Sequence, residues 1–222
     1  GSLKDKKAAA AIEDLRFEDA KMLRFSAIED FTEAINKKPD YKNAFYNRGV
    51  SRMELGKLTR DSSLIAFSVS DFDNAIKQDA QFPDAYHNRA NAKAEIGLFE
   101  SAIKDFDIAI SLKPEEINYF TNRGVTKGKM GDIQGAIDDF NSALKINPNE
   151  SAIYSNRGRA KMLKNEVNAA IADYDIAIRL DPGHHTAWFN RALAKNRIND
   201  KQGALDDLNK TIQIHPNMPD AY

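Results

Sequence analysis

Five asparagine–arginine pairs are the residues of this chain best placed to do chemistry: Asn47-Arg48, Asn88-Arg89, Asn122-Arg123, Asn156-Arg157 and Asn190-Arg191. A carboxamide offers one acceptor and two donors, and a guanidinium five donors in a planar fork. That is the chemistry of hydrogen bonding and ion pairing, not of bond cleavage. Nothing else in the chain supplies a catalytic set. The four histidines, His87, His184, His185 and His215, do not converge with a nucleophile in sequence, and cysteine is absent. No thiolate site or disulfide is therefore possible. The acidic pairs Asp138-Asp139, Asp206-Asp207 and Glu115-Glu116 lack a partnering histidine. The glycine-rich stretch Gly124 to Gly135 lacks the Gly-Lys-Ser/Thr ending of a phosphate loop. The expectation is a non-enzyme with no cofactor and no metal.

The last four pairs recur every 34 residues, and a fixed period of that size marks a stack of supersecondary units. The unit Pro83 to Glu116 shows what must position them. From Asp84 to Ile96, Ala85, Tyr86, Ala90 and Ala94 fall at helical spacing. Gly97 then breaks the helix, and Gly56, Gly131, Asn165 and Asn199 stand at matching places. Glycine and asparagine tolerate the left-handed conformation that closes a helix, so one turn geometry is expected at all five. A second helix runs from about Glu100 to Leu112 with Ala102, Phe106, Ala109 and Ile110 as its apolar stripe. Proline ends it, at Pro114 and again at Pro148, Pro182 and Pro216, with Pro39 in the same part earlier.

These residues resemble the tetratricopeptide repeat, whose pattern includes Ala-x3-Phe and a closing proline. The pattern reads Ala27/Phe31, Ala102/Phe106, Ala136/Phe140, Ala170/Tyr174 and Ala204/Leu208 in second helices. First helices carry an aromatic at Phe45, Tyr86, Phe120, Tyr154 and Trp188, then a small residue at Gly49, Ala90, Gly124, Gly158 and Ala192. The resemblance implies an all-α, right-handed superhelical solenoid of helix–turn–helix repeats over residues 8–218. Six repeats are expected, at 8–41, 42–82, 83–116, 117–150, 151–184 and 185–218. The first has a degenerate opening helix in which Glu13-Asp14 replaces Asn-Arg. The second carries about seven extra residues near 57–63, two helical turns, so one or both of its helices should be longer. Asp61, Ser62 and Ser63 are candidate N-caps there, and Phe67 should face outward. Residues 1–7 read as a tag remnant (Gly1-Ser2) and a helical extension. Residues 219–222, Pro-Asp-Ala-Tyr, copy Pro83 to Tyr86 and read as the start of a further, truncated repeat.

The arginine occupies a position that the resemblance assigns to a buried leucine. A buried arginine needs a partner, and Asp30, Asp71, Asp105, Asp139, Asp173 and Asp207 supply a matching series directly before the second-helix aromatic. An Arg–Asp ladder between first and second helices is expected. The asparagine lies one residue earlier, about 100° around the helix, where the resemblance implies a concave groove. Asn47, Asn88, Asn122, Asn156 and Asn190 would line it, with Asn91, Asn118 and Arg159 as neighbouring contacts. An asparagine ladder of this kind serves the peptide-binding arm of the O-linked N-acetylglucosamine transferases, and the resemblance implies the same use here. Glu54 and Glu95 in early repeats, against Lys129 and Arg197 in later ones, suggest a groove acidic at one end and basic at the other. A chaperone-tail carboxylate clamp is argued against: its best register gives His87, Asn91 and Asn122, but then Ala152 and Asn156 where lysine and arginine are needed.

The formal charge of −1, from 32 basic and 33 acidic residues, gives no electrostatic case for nucleic acid. No apolar run approaches 18 residues, so no membrane insertion is expected. The leading functional expectation is a scaffold that binds a protein or peptide ligand, an extended segment, in the groove. A targeting arm of a larger enzyme and a self-assembling scaffold are the alternatives. A monomer, or a weak dimer through open repeat ends, and a cytoplasmic setting complete the expectations.

Overall fold

Small residues facing aromatic ones determine how these helices stack. The computed structural model describes residues 3–216, with side chains from residue 15 onward. Gly1-Ser2 and the expected further repeat at 219–222 lie outside the described residues. Among the described residues there are eleven helices and no strand: α1 (Leu3–Lys37), α2 (Lys42–Thr59), α3 (Ser62–Gln78), α4 (Pro83–Glu95), α5 (Phe99–Leu112), α6 (Ile117–Met130), α7 (Ile133–Ile146), α8 (Ser151–Leu163), α9 (Val167–Leu180), α10 (His185–Arg197) and α11 (Lys201–Ile214). The fold is an all-α repeat. It divides into an N-terminal half ending at Leu112 and a C-terminal half beginning at Lys113.

Within each half, α2 and α3, α4 and α5, α6 and α7, α8 and α9, and α10 and α11 pack as hairpins. The first four hairpins close on a second-helix aromatic, Phe72, Phe106, Phe140 and Tyr174, all essentially inaccessible, and the fifth carries Leu208 in that place. The facing first helix must offer a small residue. A Cβ on Gly158 would lie 2.7 Å from Tyr174 Cε1, and one on Gly49 2.8 Å from Phe72 Cε1. Such contacts leave no room for a side chain, so the glycines permit the close approach.

Four of the five expected turn residues adopt positive φ: Gly97 (82°), Gly131 (96°), Asn165 (64°) and Asn199 (63°). The fifth expectation fails. Gly56 stays inside α2 and is buried, and Arg60 takes the left-handed position with φ 58°. Gly56 serves packing instead, because a Cβ there would meet Ile65 Cγ1 at 2.7 Å and the Asp61 carbonyl at 2.8 Å. The extra residues lengthen both helices: α2 has 18 residues and α3 has 17, against 13 and 14 in α4 and α5. Asp61 is the N-cap of α3, accepting from the Ser63 and Leu64 amides. Phe67 does face solvent, 57% exposed, with the Arg52 guanidinium 5.9 Å from its ring centre.

The first repeat also differs from the helix pair expected over 8–41. Residues 8–37 of it lie in one unbroken 35-residue helix, α1, which ends before Pro39. Residues 3–35 contain no glycine, proline or asparagine to break it. Ala27, Ile28, Phe31, Ala34 and Ile35 are half-buried, and α1 packs on α2. Leu15, Met22, Leu23 and Phe25 are at least 60% exposed.

Candidate functional site

The arginine of each Asn-Arg pair is a structural joint. Arg157 shows the geometry. Its Nε and Nη2 donate to the two Asp173 oxygens at 2.9 and 2.6 Å, a bidentate fork. Its Nη1 donates to Asn141 Oδ1 of the preceding repeat at 2.7 Å. The guanidinium lies 5.3 Å from the Tyr154 ring centre. Hydrogen bonding to Asp173 holds the guanidinium pKa above its ordinary value, against the opposing effect of burial. Arg191 repeats the arrangement with Asp207, Asp175 and Trp188, and Arg89 with Asp105, Asp73 and Tyr86. Arg48 pairs with Asp71, reaches Thr32 and covers Phe45. Arg123 forks onto Asp139 in the same way.

The expected ladder is therefore formed within each of the five repeats that carry the arginine, and it has a rung that sequence reasoning missed. A second cation four residues after each arginine binds the same carboxylate: Lys93, Lys127, Lys161, Lys195 and, in the second repeat, Arg52. Their constant i+4 spacing from the arginine was the available signal. Asp30, the first member of the acidic series, is exposed, and Asp14 stands where its arginine would be.

The asparagines divide into engaged and open ones. In the N-terminal half, Asn88 Nδ2 donates to the Tyr46 hydroxyl at 2.8 Å, Asn91 Nδ2 lies 3.2 Å from His87 Nε2, and Asn47 is exposed. Burial, reinforced by the Asp84 charge, pushes the Tyr46 phenol pKa up, so its oxygen stays protonated as an acceptor for Asn88. Glu54 and Glu95 are each neutralised, by Arg24 at 2.6 Å and Lys57 at 3.6 Å. The expected acidic character at that end is correspondingly weakened.

In the C-terminal half, Asn118 Nδ2 turns to Glu116 at 3.1 Å, beside the start of its own helix. Asn122 is half-buried on α6. Asn156 and Asn190 come together: with Ala152, Ser155, Arg159, His184, Thr186 and Phe189 they line a cavity of about 360 Å³ between α8 and α10. Asn156 and Arg159 also line a second cavity of about 360 Å³ between α6, α7 and α8. The arrangement places donors, acceptors and one cation along adjoining concavities.

His184 anchors the edge of the first of these. Ser151 donates to the Ala177 carbonyl at 2.9 Å, and its oxygen lies 2.6 Å from His184 Nδ1. With the hydroxyl proton committed, Nδ1–H donates to Ser151 Oγ. Burial lowers the His184 pKa; Asp181 raises it, and His185 lowers it further. The folded form thus binds its proton less readily than the unfolded chain. Stability from this group is complete above the unfolded value near 6.5 and is lost as pH falls below it. Melting temperature should drop between pH 7.5 and 5.5 by less in His184→Gln than in the parent. An equal drop in both would show that His184 does not couple to folding.

Family models of the tetratricopeptide repeat match residues 83–116, 121–183 and 156–219. The chain belongs to the tetratricopeptide-repeat family. Solved structures resemble it over most of its length. One is YrrB, described as a tetratricopeptide-repeat protein with an unusual peptide-binding site: 21% identity, 87% of this chain and 96% of that one, TM-score 0.64. The Cut9–Hcn1 assembly of the APC/C matches at 17% identity over 92% of this chain and 39% of that one, TM-score 0.71. PilF of Pseudomonas aeruginosa matches at 16% identity over 92% and 94%, TM-score 0.67. At such identities the likeness is one of fold. No relative is found among curated protein sequences. Membership in the tetratricopeptide-repeat family supports a protein–protein interaction scaffold, and no described helix is long and apolar enough to cross a membrane.

Proposed function

We propose that this chain is a scaffold that holds an extended peptide, or a flexible segment of another protein, against the first helices of its repeats. The observation that carries the reading is the shared cavity of Asn156 and Asn190. Both carboxamides lack a hydrogen-bond partner among the described residues, while the adjacent arginines are fully committed to the fold. An unengaged carboxamide can bond both the N–H and the C=O of an extended backbone without regard to its side chains. A repeated surface of this kind is how tandem-repeat folds present long binding sites. Asn47 extends the same role in its own repeat, Asn88 retains its carboxamide oxygen for it while its Nδ2 bonds Tyr46, Asn122 continues the line, and Asn91, Asn118 and Arg159 flank it.

The test is selection of a phage-displayed random dodecapeptide library on the intact chain. Peptides should be enriched, and Asn156→Ala/Asn190→Ala should weaken them at least tenfold without moving the melting temperature. Failure to enrich any peptide, or binding indifferent to the double substitution, would overturn the proposal.

A further inference from the structure

Gly128 sits at a position where other first helices carry Met53, Ala94, Met162 and Asn196. A Cβ there would meet only Ala136 Cβ, at 3.8 Å, an ordinary contact. Nothing in the packing of α6 on α7 therefore demands glycine, in contrast to Gly124, whose Cβ would lie 2.9 Å from Phe140. A glycine inside a helix lowers stability relative to any straight-chain residue. What its absence of a side chain does create is space. The cavity of about 360 Å³ beside it is walled by Val125, Ile133, Ala136, Phe140, Ala160 and Leu163. An apolar cavity of about 150 Å³ already holds a benzene ring, so this one has room for any apolar side chain.

The rim of the same cavity is cationic. Lys129 and Arg159 border it, both exposed, and neither has a carboxylate within salt-bridge distance among the described residues. On the same two helices, by contrast, Arg123, Lys127, Arg157 and Lys161 are spent on the buried aspartates Asp139 and Asp173. Asn156 borders the cavity too, which joins it to the concavity it shares with Asn190.

We infer that the cavity beside Gly128 is a specificity pocket for an apolar side chain of the bound segment, and that Lys129 and Arg159 select an acidic residue next to it. The inference rests on the peptide-binding reading above and names the ligand class: an extended peptide carrying an acidic–apolar pair. Apolar contact supplies non-directional affinity, and the two cations supply sequence preference and salt-sensitive association.

The same dodecapeptide library tests it on three forms of the intact chain: the parent, Gly128→Met and Lys129→Glu/Arg159→Glu. Methionine occupies the equivalent place in two other repeats, so Gly128→Met should fold, with an equal or higher melting temperature. On the parent, enriched peptides should carry Asp or Glu within two residues of Leu, Ile, Met or Phe. Gly128→Met should weaken those peptides at least tenfold, and the charge-reversed form should select Lys or Arg in place of the acid. Peptides that depend on Asn156 and Asn190 yet ignore both the filled pocket and the reversed charge would overturn this inference and leave the groove reading standing. No enriched peptide on any form would overturn both.

Discussion

Replacing Asp173 by alanine is expected to remove about 3–5 kcal/mol of folding free energy, the cost of breaking a buried ion pair by deleting one partner. Asp173 is 3% exposed at its side chain and holds two cations, Arg157 at 2.6 Å and Lys161 at 2.7 Å. Its loss leaves a guanidinium and an ammonium largely shielded from water with no carboxylate to face. A typical domain is stable by about 5–15 kcal/mol, so the variant should unfold at much lower urea. Lys161→Met should cost far less, because the bidentate Arg157–Asp173 fork survives it. Urea unfolding followed by circular dichroism measures both. A loss below about 1 kcal/mol for Asp173→Ala would show that water replaces the carboxylate at this joint.

Phe106→Ala should be comparably severe, at about 3–5 kcal/mol. The ring is wholly buried and packs against Ala90, Ala94 and Ala102. Those neighbours are already small and sit on helices fixed by the Arg89–Asp105 fork, so the hole cannot close by side-chain rearrangement. Phe67→Ala is the matched control, since Phe67 is mostly exposed and should cost no more than about 0.5 kcal/mol. Similar melting temperatures for the two variants would contradict the burial pattern that organises the repeats.

Much of this was legible in the sequence, for identifiable reasons. The 34-residue period counts whole units, and the Gly or Asn at four turns and the closing prolines are local signals, each tied to one backbone conformation. The Arg–Asp pairing was legible because a charge at a buried position has few physical outlets. What escaped was contextual. Gly56 looked like Gly97, but the added residues moved the turn to Arg60 and left glycine a packing role. The opening helix of the first repeat was assumed from the pattern, although residues 3–35 hold nothing that would interrupt α1. The state of the asparagines was invisible as well. Five look equivalent in the sequence, yet Asn88 is engaged by a tyrosine that only the second repeat supplies, and Asn156 and Asn190 face a shared concavity. The pocket beside Gly128 was missed because a missing side chain leaves no motif.

The hairpin of α2 and α3 has a practical consequence. Its growth is shared between the two helices, 18 and 17 residues against 13 and 14, and confined to their meeting point, so Arg48 still grips Asp71 although 23 residues separate them where 16 do elsewhere. Insertion at that tip, one turn per arm, is thus mechanically silent for the joint beneath. Engineers seeking a place to graft an epitope, a fluorophore site or a tether would find one ready-made around Arg60, and matched-turn extensions at the other tips offer a way to build handles of chosen length.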